Sequence, residues 1–427
     1  MVFMEATVVV GLQWGDEGKG KIIDYLSKGA DWVARFQGGT NAGHTVIVGN
    51  EKYKHHLIPS GALHGKRLVV GNGMVVDPKR LIAEIAELKE KGVKVNLTIS
   101  ERASVVMPYH RMIEDAEEQH RGGAKIGTTK QGIGPCYSDK IARYGIKFSD
   151  LIDPQTLLER LKSIVPIKQK SLEAYGSTSV IDLNEIYKEF ATYGEKLKPM
   201  VANTSVMLNE ALDKNESVLL EGAQGTYLDI DFGTYPYTTS SNTCSGNACI
   251  GSGVGPKRIG KIIGITKAYT TRVGKGPFPT ELHDEVGEHL VQKGKEFGTT
   301  TGRRRRCGWL DLVMIKDACR LSSVTSFVLT KLDVLTGLKE IKICTKYFDG
   351  NKTVNHFPAS LKQLERVRPA YKTFKGWGYL SKKYEEFPEE AKMYLSFIQK
   401  ELSIPTELLS IGPGREQTVV LKGLKKQ

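Results

Sequence analysis

The sequence predicts an α/β fold: a mainly parallel central sheet with flanking helices and a helical insertion. Three observations predict it. β-branched runs alternate along the chain with segments of helical period, the pattern of strands joined by crossover helices. The first run, residues 8–10, ends in a glycine-rich turn and passes straight into a helix-period segment carrying Ile22, Ile23, Tyr25 and Leu26. Further glycine-rich turns follow later strands, at the carboxyl ends where a parallel sheet binds its ligands.

The opening turn is the most informative element. At a strand–loop–helix junction the free backbone N–H groups favour an anion, most often a phosphate. Gly15, four residues, then Gly20-Lys21 fits the first part of a phosphate loop, so the sheet is expected to be of phosphate-loop-NTPase type. Ile22 stands where Ser or Thr normally gives magnesium a hydroxyl, leaving Asp16 and Glu17 as the nearest oxygen donors. Carboxylates so placed repel phosphates unless a metal or a proton transfer compensates, so the loop reads as catalytic.

A second strand at residues 32–36 leads into the turn 37–45, which carries Asn41 and His44. No apolar periodicity there would bury His44, and it is expected to face a ligand. Backbone carbonyls of such a turn can also hold a hard cation. Residues 68–71 form a strand. Asp77 then caps a helix with Pro78 in its first turn, running to about Lys91. Residues 95–99 are another strand. The loop 126–135, rich in glycine and hydroxyls, suits a monophosphate. From 153 to 212 the pattern is helical and charged, and reads as an insertion covering the sheet within a single domain spanning 1–427.

Residues 217–220 are a buried strand, followed by Glu221-Gly-Ala-Gln-Gly-Thr226 and the polar stretch 235–242. A further strand lies at 262–265. Residues 298–306 end in four arginines beside the apolar stretch 307–310. Planar guanidinium forks held in a defined loop suit carboxylates and phosphates. The strand 326–330 runs into Thr330-Lys-Leu-Asp333, whose Asp can accept both N1–H and N2–H₂ of guanine, while adenine offers the wrong pattern. With a phosphate loop on the first strand, GTP is the favoured nucleotide. Residues 408–414 read as a last strand and turn.

Composition bounds the setting. The formal net charge of +13 is met by Lys-rich exposed helices or by anionic partners. No run approaches the roughly 20 apolar residues that cross a bilayer. The six cysteines form no Cys-x-x-Cys pair and imply reduced thiols in a cytoplasmic protein.

Taken together, the loop 13–21, Asn41-Ala-Gly-His-Thr45, the Gly127-Thr-Thr loop, residues 221–226, Thr301-Gly-Arg-Arg-Arg305 and Lys331-Leu-Asp333 resemble adenylosuccinate synthetase over essentially the whole chain. The resemblance implies a magnesium-dependent ligase of purine biosynthesis, making adenylosuccinate from IMP, L-aspartate and GTP through a 6-phosphoryl intermediate. It implies that Asp16 is the base at N1 of IMP, that His44 is the acid, and that Lys19 and Gln224 assist them. Magnesium ligands map to Asp16 and Gly43. GTP contacts map to the loop Gly15, Asp16, Glu17, Gly18, Lys19, Gly20 and Lys21, and to Gly43, His44, Thr45 and Arg305. The guanine end maps to Lys331, Leu332 and Asp333, with Ser410, Ile411 and Gly412. IMP contacts map to Asp16, Glu17, Gly18, Lys19, Asn41, Ala42, Gly43, His44, Thr129, Gln224, Thr239 and Arg303. Arg143 would reach the neighbouring subunit's IMP in a homodimer. Aspartate contacts map to Thr299, Thr300, Thr301, Gly302, Arg303, Arg304 and Arg305. Gln131 replaces a basic residue usual in the family, leaving Lys130 as the nearest substitute.

Two other readings share some of these features. A regulatory GTPase switch would need neither Asp16 in the loop nor the arginine-rich loop, and would cleave GTP alone. A nucleic-acid-binding protein would interleave aromatic and basic residues, which this sequence does not do.

Overall fold

A computed structural model describes residues 4–49, 51–298 and 302–421. Ten strands, numbered here in chain order, make the central sheet: β1 (Ala6–Gly11), β2 (Trp32–Arg35), β3 (Arg67–Val70), β4 (Asn96–Ser100), β5 (Val201–Ala202), β6 (Val218–Glu221), β7 (Ile259–Lys267), β8 (Ser326–Thr330), β9 (Thr406–Ser410) and β10 (Thr418–Val420). They lie in the order β10-β9-β8-β7-β1-β6-β2-β3-β4-β5. Every neighbouring pair is parallel except β9 with β10. The predicted α/β fold with a mainly parallel sheet is borne out.

The strands are apolar without alternation because both faces are covered. Along β1, Val8 and Val10 pack into one core and Val9 into the other, and all three are fully buried. Helix α1 (Lys19–Ser27) follows β1 and sends Ile22 and Ile23 into the second core. Position 22 is thus a core position, where a magnesium-binding hydroxyl would have no access to solvent. Helix α2 (Pro78–Glu90) starts as expected, with the Asp77 carboxylate accepting from Arg80 N at 3.1 Å.

The stretch 153–212 is helical over Pro154–Ala174, Leu183–Leu197 and Thr204–Asp213, but it also contributes β5 to the sheet edge. Two residues are too short to show a strand period. The local pattern does not announce the antiparallel sheet of Glu340–Asp349, Lys352–Val354 and Arg368–Lys375 either. Nor is β9 the last strand: after the turn 411–417 the chain returns antiparallel as β10.

Parallel pairing puts the carboxyl ends of β1, β2, β6, β7, β8 and β9 along one edge. The turns 12–18, 36–43, 222–226, 331–333 and 411–417 therefore meet there. No helix among the described residues is long and apolar enough to cross a membrane, and the six cysteines are unpaired.

Candidate functional site

These turns enclose a cavity of about 1090 Å³. Its floor is the loop after β1, where Asp16 takes φ 60° between Gly15 (φ 82°) and Gly18 (φ 86°). A left-handed Asp is uncommon and is kept only where its surroundings over-determine it. Glu17 is what braces it. Its fully buried carboxylate accepts from Gln13 N (3.0 Å), Gly15 N (2.9 Å) and Lys19 Nζ (2.5 Å). A Cβ at Gly11 or Gly225 would lie 2.5 or 2.4 Å from that carboxylate, so both positions need glycine. Of the two loop acids only Asp16 lines the cavity. Its Oδ2 lies 2.7 Å from Arg305 Nε.

The structure corrects the expectation that His44 lies unburied in a glycine-rich loop. It opens the strand His44–Val48 and is only 7% exposed, though it still lines the cavity. Its Nδ1 lies 2.5 Å from Glu221 Oε1 and 3.2 Å from Ser60 Oγ. Glu221, at the end of β6, also accepts from Ser60 N at 2.8 Å. A carboxylate at that distance fixes the proton on Nδ1 and leaves Nε2 for a ligand. Burial holds the imidazole below its usual pKa, opposed by the bond to Glu221; at Glu221 burial pushes the pKa up, but His44, Arg35 and the Ser60 N–H hold it below its usual value. Neither Glu221 nor Ser60 had a role assigned from sequence, since both act from distant segments.

Asn41 Nδ2 donates to Thr239 Oγ1 (3.2 Å), and its Oδ1 accepts from Gly39 N (3.1 Å). Gln224, also left-handed (φ 57°), accepts from Gln37 Nε2 (3.0 Å). Its own Nε2 is buried without a partner among the described residues, a donor prepared for a ligand. The loop 126–132 is held at both ends by helix Pro108–His120. Glu118 accepts from Ile126 N and Gly127 N, and Glu114 from Gly132 N. Thr129 faces the cavity. Lys130 is exposed and pairs with Asp115 at 3.2 Å, outside the cavity lining.

Lys331 and Asp333 follow β8 at the far end. Lys331 donates to Gly294 O (2.6 Å) and Glu296 Oε1 (2.8 Å). Asp333 is half-buried, and burial raises its carboxyl pKa against the pull of Lys331, Lys21 and Lys293. Lys21 reaches across to the last turn, donating to Ser410 Oγ (2.7 Å), Gly412 O (2.7 Å) and Gln417 O (2.9 Å). Its ammonium holds that turn against α1, and burial lowers its pKa to about 8.

The cavity thus brings together Gly15, Asp16, Gly18, Lys19, Gly20, Lys21, Asn41, Ala42, Gly43, His44, Thr45, Thr129, Gln224, Thr239, Arg303, Arg305, Lys331, Asp333, Ser410 and Gly412. Glu17, Leu332 and Ile411 have buried side chains behind it, and Gly302 lies outside its lining. Arg304 points away, pairing with Glu288 at the surface, as Arg306 does with Glu281. Arg143 is exposed and outside this cavity. Thr299, Thr300 and Thr301 lie outside the described residues. No group of three or more His, Cys, Asp or Glu side chains that could hold a metal ion occurs among the described residues.

Sequence reasoning also missed Glu296, which no local pattern marks. It is fully buried between Lys267, Tyr269, Arg305 and Lys331.

Comparison with known proteins matches the family model of adenylosuccinate synthetase to residues 8–419. The chain is 51% identical over 427 residues to the adenylosuccinate synthetase of Desulforapulum autotrophicum, covering 99% of this chain and 100% of that protein. It is 51% identical over 426 residues to that of Clostridium novyi, covering 98% and 99%. The fully ligated adenylosuccinate synthetase of Plasmodium falciparum superposes with a TM-score of 0.92 at 39% identity, covering 98% of this chain and 100% of that one.

Proposed function

The chain belongs to the adenylosuccinate synthetase family, a ligase joining IMP and L-aspartate with GTP cleavage in purine biosynthesis, and from this premise we propose how its side chains divide the work. Nothing in the comparisons favours a regulatory GTPase. The observation that carries the assignment is the Asp16 carboxylate inside a phosphate-binding loop, facing the cavity while its neighbour Glu17 braces the backbone. Asp16 takes the proton from N1 of IMP, which makes O6 nucleophilic. O6 attacks the γ-phosphorus of GTP, the bond to the β-phosphate oxygen breaks, and GDP leaves. The aspartate amine then adds at C6, the C6–O bond to phosphate breaks, and the amine proton passes to water.

His44, its Nδ1 proton held by Glu221, acts as the acid by carrying a second proton on Nε2 beside the phosphate charge and donating it to the transferring phosphoryl group. Lys19 neutralises phosphate charge. Asn41, Thr129, Thr239 and the amide nitrogen of Gln224 hold IMP. Arg303 and Arg305 receive the aspartate carboxylates, and Lys331 and Asp333 the guanine. Such chemistry is mainly positioning and charge neutralisation.

The donors fit magnesium. Asp16 offers a carboxylate, Gly43 lines the same cavity, and Ile22 is a core residue without a hydroxyl. We assign Asp16 and the Gly43 carbonyl to hold the ion, which when bound supplies charge neutralisation at the phosphates. The reading is tested by phosphate release from GTP, expected only when IMP and aspartate are both present. Release from GTP alone would overturn it.

The same reading makes the protein a cytoplasmic homodimer, with the exposed Arg143 completing the neighbour's IMP site. Asp16→Asn and Arg143→Leu are then each inactive alone. Mixed at equal concentration, they are expected to recover about a quarter of wild-type activity, because each two-fold-symmetric hybrid holds one intact site. No recovery in a verified hybrid would refute the shared site.

A further inference from the structure

Glu296 follows the helix Glu285–Gly294 and precedes the arginine-bearing loop. Its carboxylate is fully buried and divides its two oxygens between different parts of the site. Oε1 accepts from Lys331 Nζ at 2.8 Å, from Lys267 Nζ at 3.3 Å and from the Tyr269 hydroxyl. Oε2 accepts from Arg305 Nη1 at 2.5 Å. The backbone adds a further tie, Arg305 N donating to Glu296 O at 2.9 Å. Arg305 in turn holds Asp16 through Nε, at 2.7 Å. One carboxylate therefore joins the lysine at the guanine end to the arginine at the aspartate end.

The charge count matters. Three cations meet at Glu296 and Arg305 also meets Asp16, three positive charges to two negative, so Glu296 restrains them without neutralising them all, and Lys331 and Arg305 keep positive charge for ligands. Lys267, fully buried, reaches Glu296, the Thr271 hydroxyl and the face of the Tyr269 ring, and so fills the carboxylate's remaining side. Without the acid, three cations would repel one another in a low-dielectric setting. The Arg305 fork would then be left to Asp16 alone.

We propose that Glu296 is a positioning residue that sets Lys331 and Arg305 together, so that one buried carboxylate prepares both the GTP end and the aspartate end of the cavity. The proposal rests on the assignment of those two cations to GTP and aspartate. A merely structural acid would, on removal, lower the fraction of folded enzyme and leave the KM values alone.

The test is E296Q, which keeps the shape and removes the charge. KM for GTP and KM for aspartate are each expected to rise about tenfold, as for loss of a charge-assisted hydrogen bond, with KM for IMP within about twofold of wild type. A change in kcat or folded fraction alone, a rise in only one of the two KM values, or an equal rise in all three would overturn the proposal. If E296Q does not fold, E296D decides: it retains the charge and withdraws it by one methylene. It should still raise both KM values, and normal values there would equally overturn the proposal. Lys331→Met and Arg305→Leu are the references. If they leave KM for GTP and aspartate untouched, the substrate assignment fails. If they shift these values while the Glu296 variants do not, only the role of Glu296 fails.

Discussion

Asp16→Asn is expected to lower kcat by about 10³-fold, within the range for losing a positioned general base, while IMP binding stays largely intact. The substitution leaves the loop in place because Asn is among the residues that best tolerate the left-handed backbone Asp16 adopts at φ 60°. Neither the loop brace from Glu17 nor the lysine on it depends on the Asp16 side chain. The folded state should therefore survive with an unchanged Tm. What disappears is a group able to accept the N1 proton, together with the carboxylate assigned to magnesium and part of the ion pair to Arg305. Steady-state turnover and equilibrium IMP binding, measured on the same preparation, check this. Turnover near wild type would remove Asp16 from its role, and lost IMP binding would make it a binding group instead.

Asp333→Asn is expected to raise KM for GTP by about 100-fold, as two charge-assisted hydrogen bonds are replaced by one neutral bond and one clash of donors. The carboxylate accepts no side-chain hydrogen bond among the described residues, and burial, which raises its pKa, is opposed by three nearby lysines. It is thus ready for the paired N1–H and N2–H₂ donors of guanine. An amide presents one acceptor and one donor, which matches a purine carrying a carbonyl at C2. Discrimination should therefore relax toward xanthosine triphosphate, measured as the ratio of kcat/KM for the two nucleotides. An unchanged KM for GTP would refute the guanine assignment, and a uniform loss with every nucleotide would point to damage in the turn that Lys21 and Ser410 hold.

How much of this was legible in the sequence follows the range of the interactions involved. The α/β class, the parallel sheet, the glycine-rich turn after β1 and the Thr-Lys-x-Asp segment after β8 are local patterns. A β-branched run covered on both faces, a helix period and an Asp-Pro start each declare themselves within a few residues. Their meeting at one edge follows from parallel pairing, so the set of loops around the cavity could be read before any contact was known.

Tertiary structure alone decided which way the neighbouring acids Asp16 and Glu17 face. One left-handed residue sends the first into the cavity, while the second is pulled inward by Gln13 N, Gly15 N and Lys19. It also decided that His44 is buried, because Glu221 and Ser60 close on it from separate segments, 177 and 16 residues away. Lys21 looks like a phosphate lysine in the linear motif, yet it spends its donors on a turn 389 residues later. Glu296 has no motif at all, and acquires its four partners only when strands far apart in the chain align. Local periodicity records which face of an element is apolar; it carries no information on pairings between loops, whose geometry is set by the sheet that brings them together.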